Sequence, residues 1–287
     1  MNHQAVPLTC ILRCWGVITM RFFLAVTVAA ALAGTGQAQL LPPNAAGVTM
    51  GHMHLNVKDV AVHRKFFTEL FSATPLKKEG LEGVEVPGMI ILFTVKEPTG
   101  PSEGATIDHF GFKVQNTEEK LKQARDMGYA TRPVFKGAEG NPNAYIDGPD
   151  GLKVEVQQDD TLTGPPTPNH VHYQVKDITA LRDWYVKTFG AVARNRGNLP
   201  VTADISNMNL TFSSFKEDTP RAATKGRAID HVGFEVKSLE AFCKQLETNG
   251  VKLDVPYRKI PRLGIAIAFL TDPMGGYIEL TEGLGAY

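Results

Sequence analysis

Six histidines and two glutamates of this chain sit in segments that occur twice. His52-Met53-His54-Leu55-Asn56-Val57-Lys58-Asp59 returns as His170-Val171-His172-Tyr173-Gln174-Val175-Lys176-Asp177. Asp108-His109-Phe110-Gly111-Phe112 returns as Asp230-His231-Val232-Gly233-Phe234. Pro149-Asp150-Gly151 with Glu155 returns as Pro273-Met274-Gly275 with Glu279. Imidazole and carboxylate together suit a divalent ion, and three protein ligands leave coordination positions open for substrate. A single strand histidine is more often a hydrogen-bonded core or surface group, and a lone glutamate a solvated charge. The same trio at matching points of two diverged copies argues for metal binding instead. The candidate ligands are His52 or His54 with His109 and Glu155 in the first copy, and His170 or His172 with His231 and Glu279 in the second.

Strands must position these groups, because side chains at i and i+2 share a face. Met53, Leu55 and Val57 form one face of the first strand, and His52, His54 and Asn56 the other. Val171, Tyr173 and Val175 likewise oppose His170, His172 and Gln174. Phe110, Phe112 and Val114 oppose His109, and Val232, Phe234 and Val236 oppose His231. Val154 and Val156 flank Glu155, as Ile278 and Leu280 flank Glu279. The apolar faces can pack on helices while the histidine faces look into a cleft. Strand geometry alone admits either member of each His-x-His pair as the ligand, since the two lie about 6.6 Å apart on one face.

Three repeated blocks in the same order indicate duplication. They predict one module over 48–160, a linker over 161–168 rich in proline and glycine, and a second module over 169–287. Each module halves again. Helices are expected over Asp59–Phe71, Thr117–Met127, Asp177–Phe189 and Ser238–Asn249, with Asp59 and Thr117 as N-caps and Gly128, Gly190 and Gly250 at their ends. The chain reads as an α+β fold of four βαβββ units, forming two tandem modules with curled mixed sheets around clefts. The segments 74–88 and 194–203 read as loop-rich walls of the clefts. The three ligands of each site are expected to come from one module, so that each module binds its metal independently.

Composition narrows the classes of partner. Lysine plus arginine and aspartate plus glutamate both number 30, so the net charge is zero. With no basic stripe, nucleic acid is not an expected partner. Met20-Arg21, the apolar run from Phe22 to Ala33, and the small residues before Ala38 have the form of a secretory signal peptide over 1–38, with Met20 as an alternative start. The run is too short to span a bilayer comfortably. Periplasmic or secreted localisation is therefore expected, with no membrane contact beyond this segment. Cleavage there leaves Cys243 alone, a small core residue of its helix without a disulfide partner.

At these residues the chain resembles the vicinal-oxygen-chelate superfamily, which includes glyoxalase I, extradiol dioxygenases, fosfomycin-resistance enzymes and bleomycin-binding proteins. The resemblance covers both modules. It rests on His-x-x-x-x-Val-x-Asp leading into an aromatic-rich helix, and on Asp272-Pro273-x-Gly275 followed by Glu279. Its register implies His52 and His170 as first-strand ligands, with His54 and His172 beside them facing substrate or supporting the ligands. Glyoxalase I adds a fourth, glutamate ligand, but the corresponding stretches here, Ile90 to Phe93 and Asn209 to Thr211, hold no carboxylate. Extradiol dioxygenases carry a histidine and then a tyrosine before the Asp-Pro turn; Tyr145 remains in module one and Phe269 replaces it in module two. Tyr145, His54 and His172 are thus candidates for supporting roles, and no catalytic residue is assigned. The resemblance implies a divalent metal, Fe2+ or Mn2+ ahead of Zn2+ or Ni2+. It also implies a small substrate with adjacent oxygens, with lyase or dioxygenase chemistry. The alternative it offers is a metal-free small-molecule binding protein of the bleomycin-resistance type.

Overall fold

The computed structural model describes residues 40–285 except 77, 207 and 216–219; the expected signal segment lies outside the described residues. Four strand–helix–strand groups follow one another. The first is β1 (Val48–Val57), α1 (Val60–Phe71), β2 (Thr74–Pro75), β3 (Gly83–Val86) and β4 (Met89–Val95). The second is β5 (Ile107–Val114), α2 (Thr117–Asp126), β6 (Ala130–Thr131), β7 (Phe135–Lys136), β8 (Pro142–Asp147) and β9 (Lys153–Gln158). The third is β10 (Thr167–Gln174), α3 (Ile178–Phe189), β11 (Val192–Arg196), β12 (Leu199–Ile205) and β13 (Met208–Ser213). The fourth is β14 (Ile229–Val236), α4 (Leu239–Thr248), β15 (Val255–Ile260), β16 (Ile265–Thr271) and β17 (Tyr277–Glu282). Among the described residues, no helix is long and apolar enough to cross a membrane.

The helices form where a capping residue meets an apolar stripe. Asp59 accepts from the Ala61 N–H at 2.7 Å and starts α1, which buries Phe66, Phe67, Leu70 and Phe71. At α2 the cap is Asn116 rather than Thr117: its side chain accepts from the Glu119 N–H at 3.0 Å. Thr117 instead spends its hydroxyl on the Pro142 carbonyl of β8. Gly190 ends α3 in the left-handed region at φ 65°, as its position after Phe189 requires. Cys243 is buried on α4 within the core. The segments read as loops are edge hairpins instead, built from β2 with β3 and from β11 with β12. Thr167 and Pro168, placed in the linker by composition, already belong to β10.

Two mixed sheets result, ordered β15-β16-β17-β14-β1-β4-β3-β2 and β11-β12-β13-β10-β5-β9-β8-β6, with β7 paired to β8. Each sheet is a hybrid. β1 pairs antiparallel with β14, and β10 antiparallel with β5. The first quarter of the chain therefore shares a sheet with the last, and the second with the third. The apolar strand faces and the helices make one continuous core, in which Met53, Leu55 and Val57 of β1 join Val232 and Phe234 of β14. The described residues belong to a single compact unit.

Candidate metal centres

β1 brings His52 and His54 to the cleft face of the first sheet. Its neighbour β14 brings His231, and β17, parallel to β14, brings Glu279. The Glu279 Oε2 lies 3.0 Å from His52 Nε2 and 2.9 Å from His231 Nε2, and those two ring nitrogens are 3.5 Å apart. The second sheet repeats the arrangement. Glu155 Oε2 lies 2.8 Å from His109 Nε2 and 3.3 Å from His170 Nε2. The latter contact is close enough for an ion pair but not aligned as a hydrogen bond. In each cleft four residues, His52, His54, His231 and Glu279 or His109, Glu155, His170 and His172, offer ligand atoms all within 4.8 Å of one another.

The expectation that one module supplies a whole site is therefore overturned. His52 meets His231 and Glu279 of the other module, and His170 meets His109 and Glu155. The cause is the strand pairing, which places β1 beside β14 and β10 beside β5.

Two features of the repeated Asp-His-x-Gly-Phe block were not assigned roles from sequence. The first is the aspartate. Asp230 Oδ1 sits 2.6 Å from His231 Nδ1, and Asp108 Oδ1 sits 2.7 Å from His109 Nδ1. Each carboxylate fixes the ring so that Nε2 faces the glutamate. The second is the glycine. Gly233 is paired with His52 and Gly111 with His170 across their strands, and a β-carbon on either would overlap the facing imidazole. Gly233→Ala should push His52 off its position and weaken metal binding at that cleft by at least about tenfold, with the other cleft unchanged. Metal titration of the purified variant checks this.

The electrostatics follow from burial. Burial alone would lower His231, but the carboxylates of Asp230 and Glu279 outweigh it and raise its pKa to about 9. Burial opposes ionisation of Glu279, yet hydrogen bonds from His231 and His52 hold it well below the ordinary carboxylate range. Glu155 is held well below that range too, against burial, by His170 and His109. His54 is depressed to about 3, by burial first and then by the His231 and His52 imidazoles. A raised imidazole stabilises the fold fully below its unfolded value near 6.5, and that contribution is lost as pH rises through about 9. The metal-free protein should accordingly lose stability between these two pH values, and His231→Gln should flatten the dependence. Urea midpoints across pH, with chelator present, measure it.

The two clefts differ in lining. Opposite His52 and His54 stand Ile90 and Leu92 of β4, whereas opposite His170 and His172 stand Asn209 and Thr211 of β13. Phe269 faces Glu279, and Tyr145 faces Glu155. Leu40 and Leu284 pack with Ile90 and Leu92, so the β4 side of the first cleft is apolar. In the second, Asn143 donates to Glu155 Oε1, and buried Arg196 bonds Gln157 and Thr211. Burial holds the Tyr145 hydroxyl well above its ordinary pKa, and its ring lies edge-on to His109 at 5.1 Å.

The donor set fits a divalent ion. Two imidazoles and a carboxylate converge twice, and His52 Nδ1, His54 Nδ1 and both ring nitrogens of His170 are buried without a hydrogen-bond partner.

The fold is shared with known structures. Glyoxalase I from Zea mays matches with a TM-score of 0.63 at 16% identity, over 83% of this chain and 94% of that one. A variant of the same enzyme matches with a TM-score of 0.64 at 17% identity, over 84% and 95%. A candidate dioxygenase from Bacillus subtilis matches with a TM-score of 0.60 at 14% identity, over 82% and 85%. No curated protein matches the sequence significantly. Residues 167–280 match the family model of the Glyoxalase/Bleomycin resistance protein/Dioxygenase superfamily. Residues 167–280 thus carry a domain of that superfamily, and the fold is the one that glyoxalase I from Zea mays also has.

Proposed function

We propose that this chain is an exported, divalent-metal-dependent enzyme acting on a small substrate with two adjacent oxygens. The observation that carries the reading is the twofold convergence of histidine and glutamate ligand atoms within 4.8 Å. Residues His52, His231 and Glu279 would hold one ion, and His170, His109 and Glu155 another. A bound ion would supply Lewis-acid stabilisation of the anion that develops on the chelated oxygens. Asp230 and Asp108 keep the Nε2 atoms of His231 and His109 aimed inward. His52, His231, Glu279, His109, Glu155 and His170 are all buried, which strengthens electrostatic interactions among them. In the second cleft Tyr145 keeps its proton and can donate a hydrogen bond to substrate, a role Phe269 cannot take in the first.

The test loads chelator-stripped protein with Fe2+, Mn2+, Zn2+ and Ni2+ in turn. Each form is assayed for isomerisation of a glutathione hemithioacetal and for oxygen-dependent cleavage of a catechol. Turnover that vanishes with chelation supports the reading. Failure of every ion to stay bound after desalting removes it, and the small-molecule binding reading takes its place. Export is tested separately. The mature chain from the native host should begin just after Ala38, and N-terminal sequencing that finds Met1 or Met20 contradicts it.

A further inference from the structure

The register of the family leaves His54 and His172 outside the ligand set. Four features of their surroundings argue otherwise; each recurs in both clefts, save that the unpartnered buried Nδ1 is that of His54. The first is position. His54 and His172 each place a ligand atom within 4.8 Å of those of the other three cleft residues. Two histidines at i and i+2 of one strand share a face, so both can reach one ion. The second is packing. The His54 ring lies 4.5 Å from the His231 ring, and the His172 ring 4.5 Å from the His109 ring.

The third feature is a hydroxyl. His54 Nε2 is 2.7 Å from Thr94 Oγ1 on β4, and His172 Nε2 is 2.8 Å from Ser213 Oγ on β13. The hydrogen bond made by one ring nitrogen decides which nitrogen is left to bind a metal. With Nε2–H donating to the hydroxyl, the lone pair is on Nδ1, and His54 Nδ1 is buried with no partner. The fourth is backbone. The β1–β14 ladder shifts register between His54 and Leu55, and the β10–β5 ladder between His172 and Tyr173. Such bulges re-aim a side chain and recur beside functional sites.

We propose that His54 and His172 are the fourth ligand of their clefts, each through Nδ1, with Thr94 and Ser213 fixing the ring by accepting from Nε2–H. Each centre then holds three imidazoles and one carboxylate, and a ligand on β1 or β10 replaces the carboxylate that β4 and β13 lack. This inference rests on the metal-binding reading of the same clefts.

The test titrates Co2+ into chelator-stripped full-length protein and follows both affinity and the visible ligand-field absorption. His54→Ala should weaken one of the two binding events by more than about tenfold and change its absorption. His172→Ala should do the same to the other event. Thr94→Val, which keeps the ring and removes the hydroxyl, should weaken the first event by about tenfold, the usual range for a group that orients a ligand. Thermal melts of the metal-free variants confirm that they fold, and Thr94→Val carries the test if His54→Ala does not. Wild-type affinity and absorption in His54→Ala and His172→Ala overturn the proposal while leaving the three-ligand reading intact. Failure of wild-type protein to bind Co2+ removes both.

Discussion

The double variant Glu155→Ala, Glu279→Ala should be folded and almost free of metal. Each glutamate is the only carboxylate among the four residues of its cleft. A site left with neutral imidazoles loses its anionic ligand. Its affinity should fall by more than about 100-fold, beyond the 10–100-fold typical of losing an orienting group. Folding should survive because both side chains face the clefts, while Val154, Val156, Ile278 and Leu280 hold the helix-facing side. Each single variant should keep about half the metal of the wild type, since two separate groups of ligands exist. Metal analysis after desalting, alongside a thermal melt, measures both properties. Full retention of metal would make these glutamates ordinary ion-pair partners of His52, His231 and His109.

The effect on stability has a sign that is easily misjudged. In the metal-free protein Glu279 accepts from two buried histidines, so its removal takes the carboxylate partner from His52 Nε2 and leaves His231 paired with Asp230 alone. Losing one member of such a buried group is costly, roughly 3–5 kcal/mol where the pair is fully buried. Glu279→Gln keeps a hydrogen-bonding group there and should be the milder change.

Much of this site is legible in the sequence. Strict alternation around His52, His109, Glu155, His170, His231 and Glu279 places all six on cleft faces, because a strand allows no other distribution of its apolar residues. The helices were equally plain from Asp59 with Phe66, Phe67, Leu70 and Phe71. What local pattern cannot carry is the partner of each strand. β5 and β14 have nearly the same sequence, Ile-Asp-His-x-Gly-Phe, so either would satisfy β1 equally well on alternation. The choice of β14 is a property of the assembled sheet. The family register places His52 rather than His54 among the ligands, and the Thr94 partner of His54 stands on a different strand that local pattern does not connect to it. Asp230 and Gly233 were visible as repeated letters, but their contacts with His231 and His52 appear only when β1 lies alongside β14.

The central claim is that each metal centre draws ligands from both halves of the chain. It predicts which losses coincide. His52 and Glu279 share one cleft, and Glu155 lies in the other. The measurement is metal bound per chain in two double variants after reconstitution and desalting, where the wild type should hold about two ions at about one per ligand group. His52→Ala, Glu279→Ala should keep about half the wild-type metal, because both changes damage one site. His52→Ala, Glu155→Ala should keep almost none, because it damages both. The reverse outcome, with the second variant half-loaded and the first empty, would mean that each module builds its own site and would contradict the account.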